Sequence, residues 1–281
     1  MNIKFISNLL GIVLSTAILF ACGNNNSQDA TSNENAIKAP QNLSYEIIKV
    51  YSHDTLSYTQ GLEWNGDTLI EGTGDYSKSD LHLLDTKMKL IKGPIKLNDP
   101  KVAYEDAIFG EGITLFNHKI YQLTWKTKKV FVYDAKTLQK INEFNWPYEG
   151  WGLTHNDSSL IVSTGGSNLY FVDPNTFTIQ RTVGVYNNYG YVSDINELEY
   201  VNGKIYANLY LHDNIIQIDP TTGLVTGNLD LSDILAKASA KYDPKNVNGG
   251  YVLNGIAYKK ESQTFFITGK CWPLMMEIKL K

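Results

Sequence analysis

The chain has 281 residues and a formal net charge of −4. That length holds one large all-β domain or two ordinary ones, and mild acidity without a basic stripe argues against nucleic acid as a partner. With 18 Tyr, 10 Phe and 5 Trp, the chain is rich in residues that favour pleated, half-buried surfaces.

The first residues read as a targeting segment. Lys4 precedes an apolar run over residues 9–20, too short to span a bilayer comfortably. The run ends Leu19-Phe20-Ala21-Cys22-Gly23, which is similar to a bacterial lipobox, where the Cys becomes the lipidated first residue. The expectation is a lipoprotein signal peptide over residues 1–21 and a membrane anchor through acyl chains such as palmitate on Cys22. The domain would then sit in the bacterial cell envelope, outside the cytoplasm, on the periplasmic face or the cell surface. Residues 22–43, rich in Asn, Ser, Gln and Ala, read as a flexible tether, which leaves residues 44–281 for the folded domain. With Cys22 committed to lipid, only Cys271 remains, so neither an intramolecular disulfide nor a Cys-based zinc site is expected. His53, His82, His118, His155 and His212 lack metal-ligand spacing and read as surface or turn residues. No metal and no cofactor is expected.

From residue 64 onward one hairpin phrase occurs five times: Trp64-Asn65-Gly66-Asp67-Thr68, Phe116-Asn117-His118-Lys119, His155-Asn156-Asp157-Ser158-Ser159, Val201-Asn202-Gly203-Lys204 and Lys260-Glu261-Ser262-Gln263-Thr264. A third alternating strand follows each hairpin and usually closes on an acid, at Asp85, Asp134, Asp173 and Asp219, where the side chain can cap a turn. A strand-only repeat of about 40–50 residues signals an all-β, five-bladed β-propeller. The last copy runs out of chain before a fourth strand. Residues 45–51, which precede the first copy, are expected to supply that strand and close the ring. Residues 89–107 and 231–251 read as insertions, the second with a short capped helix at 232–238.

Each copy opens on a phrase that pairs a polar or aromatic residue with Gly or an acid. These are Thr59-Gln60-Gly61-Leu62, Phe109-Gly110-Glu111-Gly112, Glu149-Gly150-Trp151-Gly152, Asn196-Glu197-Leu198-Glu199 and Leu253-Asn254-Gly255-Ile256. First strands of propeller blades line the axis, so Gln60, Glu111, Trp151, Asn254 and Glu197 (or Asn196) are expected at the channel mouth. Second strands end on the same side and add Trp125, Tyr210, Lys270 and Trp272. Glu197 and Glu199 have a second reading, as ligands of a cation on the axis.

These phrases, together with Gln122-Leu123-Thr124-Trp125 and Thr268-Gly269-Lys270 followed by Trp272-Pro273, resemble the glutaminyl-peptide cyclotransferases of the plant and bacterial type over residues 45–279. The resemblance implies a five-bladed propeller that converts N-terminal glutamine of peptides and proteins to pyroglutamate and releases ammonia. It implies Glu111 as a single acid–base residue and Lys270 as the group that steadies developing negative charge. Trp125 and Trp151 would wall the glutamine stem, and Gln60 and Asn254 would hydrogen-bond the amide or the peptide. A monomer is expected. The chain departs from the family at Tyr210, where Trp is usual, and at Gly72-Thr73-Gly74-Asp75-Tyr76-Ser77 in place of Ser-Thr-Gly-Leu-Tyr-Gly. The alternatives are a non-catalytic lipid-anchored propeller that binds peptides or envelope proteins, and a calcium-dependent propeller hydrolase.

Overall fold

The computed structural model describes residues 36–241 and 251–281; the expected signal peptide and Cys22 lie outside them. Each hairpin phrase becomes the inner half of one four-stranded antiparallel blade, and five such blades form a β-propeller. The innermost strands are Thr59–Asn65, Gly110–Phe116, Leu153–His155, Ile195–Val201 and Leu253–Lys259. They touch one another in ring order, blade 1 to 2, 2 to 3, 3 to 4, 4 to 5 and 5 back to 1.

Burial follows position in the blade. First and second strands are covered on both faces, so they read as near-continuous buried runs, whereas the outer strand Leu90–Lys96 is almost entirely exposed. The turns follow local chemistry. Asn117 and His118 both take positive φ, the pairing a two-residue type I′ hairpin needs. The carboxylates that end the third strands accept backbone N–H bonds from the turn beyond them, as Asp134 does from Thr137 at 2.7 Å and Asp173 from Asn175 at 2.7 Å.

Residues 45–51 do close the ring. Tyr45–Ser52 pairs antiparallel with Leu274–Leu280 and completes blade 5. Three expectations need correction. Gln41–Leu43, read as the end of the tether, is a short strand paired in parallel with Val225–Asp230 on the edge of blade 4. The first part of the supposed insertion after residue 89 is the outer strand of blade 1, Leu90–Lys96, whose alternation is broken by Gly93 and Pro94. The short helix exists as Ile234–Lys237, but Asp233 makes no side-chain cap bond. Its carboxylate instead pairs with Lys237 at 2.9 Å and accepts from the Tyr45 hydroxyl at 3.1 Å.

The inner strands share one irregularity. The pairing register slips between Thr59 and Gly61, between Gly110 and Ile113, between Ile195 and Leu198 and between Leu253 and Ile256. Such a bulge turns a side chain out of the pleat. In blade 3 the regular strand begins only at Leu153, after Trp151 and Gly152. Backbones are crowded here. A Cβ on Gly112 would sit 2.6 Å from both the Leu153 nitrogen and the Trp151 carbonyl oxygen, so only Gly fits.

The closing register predicts unequal costs for trimming isoleucines in blade 5. Ile278 is fully buried and Ile48 is 49% exposed. Ile278→Ala is expected to lower the unfolding free energy by about 2–5 kcal/mol. Ile48→Ala should stay within about 0.5 kcal/mol. Urea denaturation measures both, and equal losses would contradict the register.

Candidate active site

The bulges bring residues from separate blades into one cavity of about 170 Å³ on the axis. Gln60 enters from blade 1, Glu111 from blade 2 and Asn196 from blade 4. Trp151 comes from the approach to blade 3, Trp125 and Tyr210 from just past the second strands of blades 2 and 4, and Lys270 from the end of blade 5's second strand. Seven of the residues expected from sequence therefore meet: Gln60, Glu111, Trp125, Trp151, Asn196, Tyr210 and Lys270. The volume suits the end of one chain rather than a length of peptide.

The polar groups are few and placed. Lys270 Nζ donates to Gln60 Oε1 at 2.7 Å and lies 4.8 Å from the centre of the Tyr58 ring. Asn254 donates to the same Gln60 oxygen at 3.2 Å, which fixes the amide and leaves the Gln60 NH₂ as a donor toward the cavity. Asn196 Oδ1 is buried and has no hydrogen-bond partner among the described residues. A buried acceptor left open is costly unless a ligand supplies a donor.

Both charged groups are almost completely covered, Glu111 at 5% and Lys270 at 3% exposure. Burial pushes the Glu111 carboxyl well above its ordinary value, Lys270 pulls it back in part, and Glu149 adds to the rise. Burial also lowers the Lys270 ammonium to about 8, against the opposing attraction of Glu111. Both shifts have the same cause, removal of charge from water, and both move the groups toward the range where protons exchange near neutrality.

Three expected residues lie elsewhere. Glu197 follows Asn196 and points the other way, into the axis. Its carboxylate accepts from Leu62 N of blade 1 at 3.3 Å and from Ile256 N of blade 5 at 3.0 Å, so it ties blades together. Asn254 stands behind Gln60, fully buried, and also donates to the Thr59 carbonyl at 2.9 Å. Trp272 turns into the interior because Cys271 takes positive φ; its indole packs on Gly269 and donates to the Tyr251 carbonyl at 3.0 Å.

Other residues were not anticipated. Tyr58 lines the cavity with Phe109. Tyr58 precedes the first opening phrase and Phe109 begins the second, and their aromatic character at those motifs was the available signal. Glu149 accepts from the Trp125 indole at 2.7 Å and from the Trp151 indole at 3.4 Å, so one carboxylate orients two walls. Two histidines are also not surface residues: His53 and His82 are buried against Glu71.

Comparison with known proteins agrees with this architecture. The sequence profile of the glutamine cyclotransferase family matches residues 14–280. The glutaminyl-peptide cyclotransferase of Arabidopsis thaliana is 36% identical over 238 residues, which cover 84% of this chain and 71% of the plant protein. The crystal structure of the glutaminyl cyclase of Myxococcus xanthus superposes with a TM-score of 0.76 at 32% identity, covering 86% of this chain and 98% of that one. With its propeller, its pocket and these likenesses taken together, the chain belongs to the glutamine cyclotransferase family.

Proposed function

We propose that this protein is a glutaminyl-peptide cyclotransferase that closes the N-terminal glutamine of peptides and proteins to pyroglutamate, without a metal and with Glu111 as its one acid–base group. The observation that carries this reading is the content of the pocket. Among the described residues Glu111 is the only carboxylate in the lining, buried in the same small cavity as Lys270. Among the described residues its carboxylate makes no hydrogen bond to another side chain, so it stands free for substrate. A scaffold that merely bound a partner would gain little from two desolvated charges.

The reaction needs one nitrogen–carbon bond made and one broken. The substrate α-amine attacks the γ-carboxamide carbon, and Glu111 accepts the proton that the amine gives up. Negative charge gathers on the carboxamide oxygen. The Lys270 ammonium and the free NH₂ of Gln60 are the donors for that oxygen. Glu111 then returns the proton to the departing nitrogen, the carbon–nitrogen bond breaks, and ammonia leaves. Asn196 Oδ1, open in the free protein, accepts from the substrate amine. Trp125 and Trp151, held by Glu149, confine the side chain to its cyclising shape, which lowers the entropic barrier of an intramolecular attack.

Metal independence is supported by the donor set. Among the described residues no three His, Cys, Asp or Glu side chains are grouped to hold a metal ion. The lipobox supports display of the domain outside the cytoplasm, tethered to a membrane by Cys22.

Residues 24–281, incubated with a Gln-initiated dipeptide, are expected to release ammonia. Glu111→Gln should lower kcat by about 10²–10⁴-fold. The same pair of proteins tests the burial argument. Because the folded-state pKa of Glu111 is raised, its stabilising contribution is complete below the ordinary carboxylate range and is lost as pH rises through the raised value. Glu111→Gln should therefore melt higher than wild type at pH 8, by about 2 °C or more if the gain reaches ~1 kcal/mol, and the advantage should fade toward pH 4. EDTA is expected to leave ammonia release unchanged; strong inhibition would favour a metal-dependent reaction. Metabolic labelling with palmitate should mark the wild-type protein and spare Cys22→Ser.

A further inference from the structure

The densest cluster of titratable side chains outside the pocket lies on blade 1, where a cavity of about 450 Å³ opens onto it. At its centre is Glu71, on the second strand and only 1% exposed. One carboxylate oxygen meets His53 Nε2 at 3.1 Å and the other meets His82 Nε2 at 3.1 Å. The Thr59 hydroxyl donates to Oε1 at 2.7 Å. The far nitrogen of His82 reaches Asp80 at 2.8 Å, and Asp80 takes Lys96 at 2.7 Å. The far nitrogen of His53 donates to the Trp272 carbonyl at 2.8 Å.

Burial pushes Glu71 up, but the two imidazoles outweigh it and hold the carboxyl well below the ordinary range. Burial opposes a proton on His82, yet Asp80 and Glu71 lift it to about 10. A buried ionic chain of this kind is expensive, and well-packed apolar residues often do as well for stability alone.

What distinguishes the chain is where its two ends lead. Thr59 is the residue before Gln60, and Trp272 is two residues after Lys270. Gln60 and Lys270 are hydrogen-bonded at 2.7 Å across the blade 1–blade 5 junction. The contacts form a closed loop: Glu71 to Thr59, along the backbone to Gln60, across to Lys270, along the backbone to Trp272, through His53 and back to Glu71. The turn that bears Lys270 has a second tie, from Cys271 N to the Ser57 carbonyl at 2.8 Å. We infer that Glu71, with His53 and Thr59, is a positioning unit that fixes the Lys270–Gln60 contact and so sets where the pocket holds its ammonium. This rests on reading that pocket as the cyclisation site.

The test compares Glu71→Gln and Thr59→Val with Thr59→Ser, which restores the hydroxyl. Each protein is first shown to be folded by circular dichroism. Two readouts follow: steady-state ammonia release, and the pH dependence of Lys270 acetylation by acetic anhydride, followed by mass spectrometry. In Glu71→Gln and Thr59→Val, kcat is expected to fall about 10–100-fold, as misplacement of a reacting group does. KM should change by less than about threefold, the mark of an interaction strengthened in the transition state. The acetylation midpoint of Lys270 should move in both, and Thr59→Ser should recover both properties. Folded variants with wild-type kcat and an unmoved acetylation midpoint would overturn the proposal. If Glu71→Gln does not fold, the Thr59→Val and Thr59→Ser pair decides alone. If wild-type protein releases no ammonia, the cyclase reading fails, and the acetylation profile still decides whether Glu71 places Lys270.

Discussion

Five inner strands converge on one axis and crowd one another at its mouth. The chain resolves this crowding by slipping register at the mouth of the ring, with glycine where two backbones come too close for a side chain. The pocket depends on that constraint. A residue freed from the pleat points along the axis instead of into a blade, and its neighbours in other blades do the same. Gln60, Glu111 and Asn196 are brought together by a packing problem solved in the same place on successive sheets.

Much of this was legible in the chain. Hairpin phrases and terminal aspartates mark strand ends because turn chemistry is local. The residues beside Gly61, Gly110 and Gly112 were legible for a related reason, since glycine in a strand flags a bulge or a close approach. Where local reading failed, a backbone twist or a distant partner decided. Positive φ at Cys271 sends Lys270 and Trp272 opposite ways, and nothing in Thr268-Gly269-Lys270-Cys271-Trp272 announces it. Asn196 and Glu197 were offered as alternatives because a bulge disturbs the alternation that would separate them. Glu149 meets Trp125 only through the fold. The cluster around Glu71 was invisible for the same reason: His53 and His82 flank it in space without any motif spacing.

The site holds its charges at a cost in stability. Lys270 and Glu111 would each be better solvated outside, and both have shifted pKa values as a result. Such a cost is tolerated where chemistry requires a proton carrier and a cation away from water. The rest of the molecule compensates through tightly covered inner strands and through inter-blade ties such as Glu197, which bonds blades 1 and 5 from blade 4.

Ring closure by Tyr45–Ser52 against Leu274–Leu280 also has a meaning in time. Gln60 and Lys270 stand 210 positions apart along the chain, yet they share one hydrogen bond. During synthesis the first three blades can pair as they leave the ribosome, since their sheets are each built from consecutive strands. The segment that carries Lys270 emerges after the first four blades, and Tyr45–Ser52 lacks its partner strand, Leu274–Leu280, until then. A nascent chain therefore holds Glu111 long before it holds a complete pocket, which forms only once the segment with Lys270 has joined blade 5.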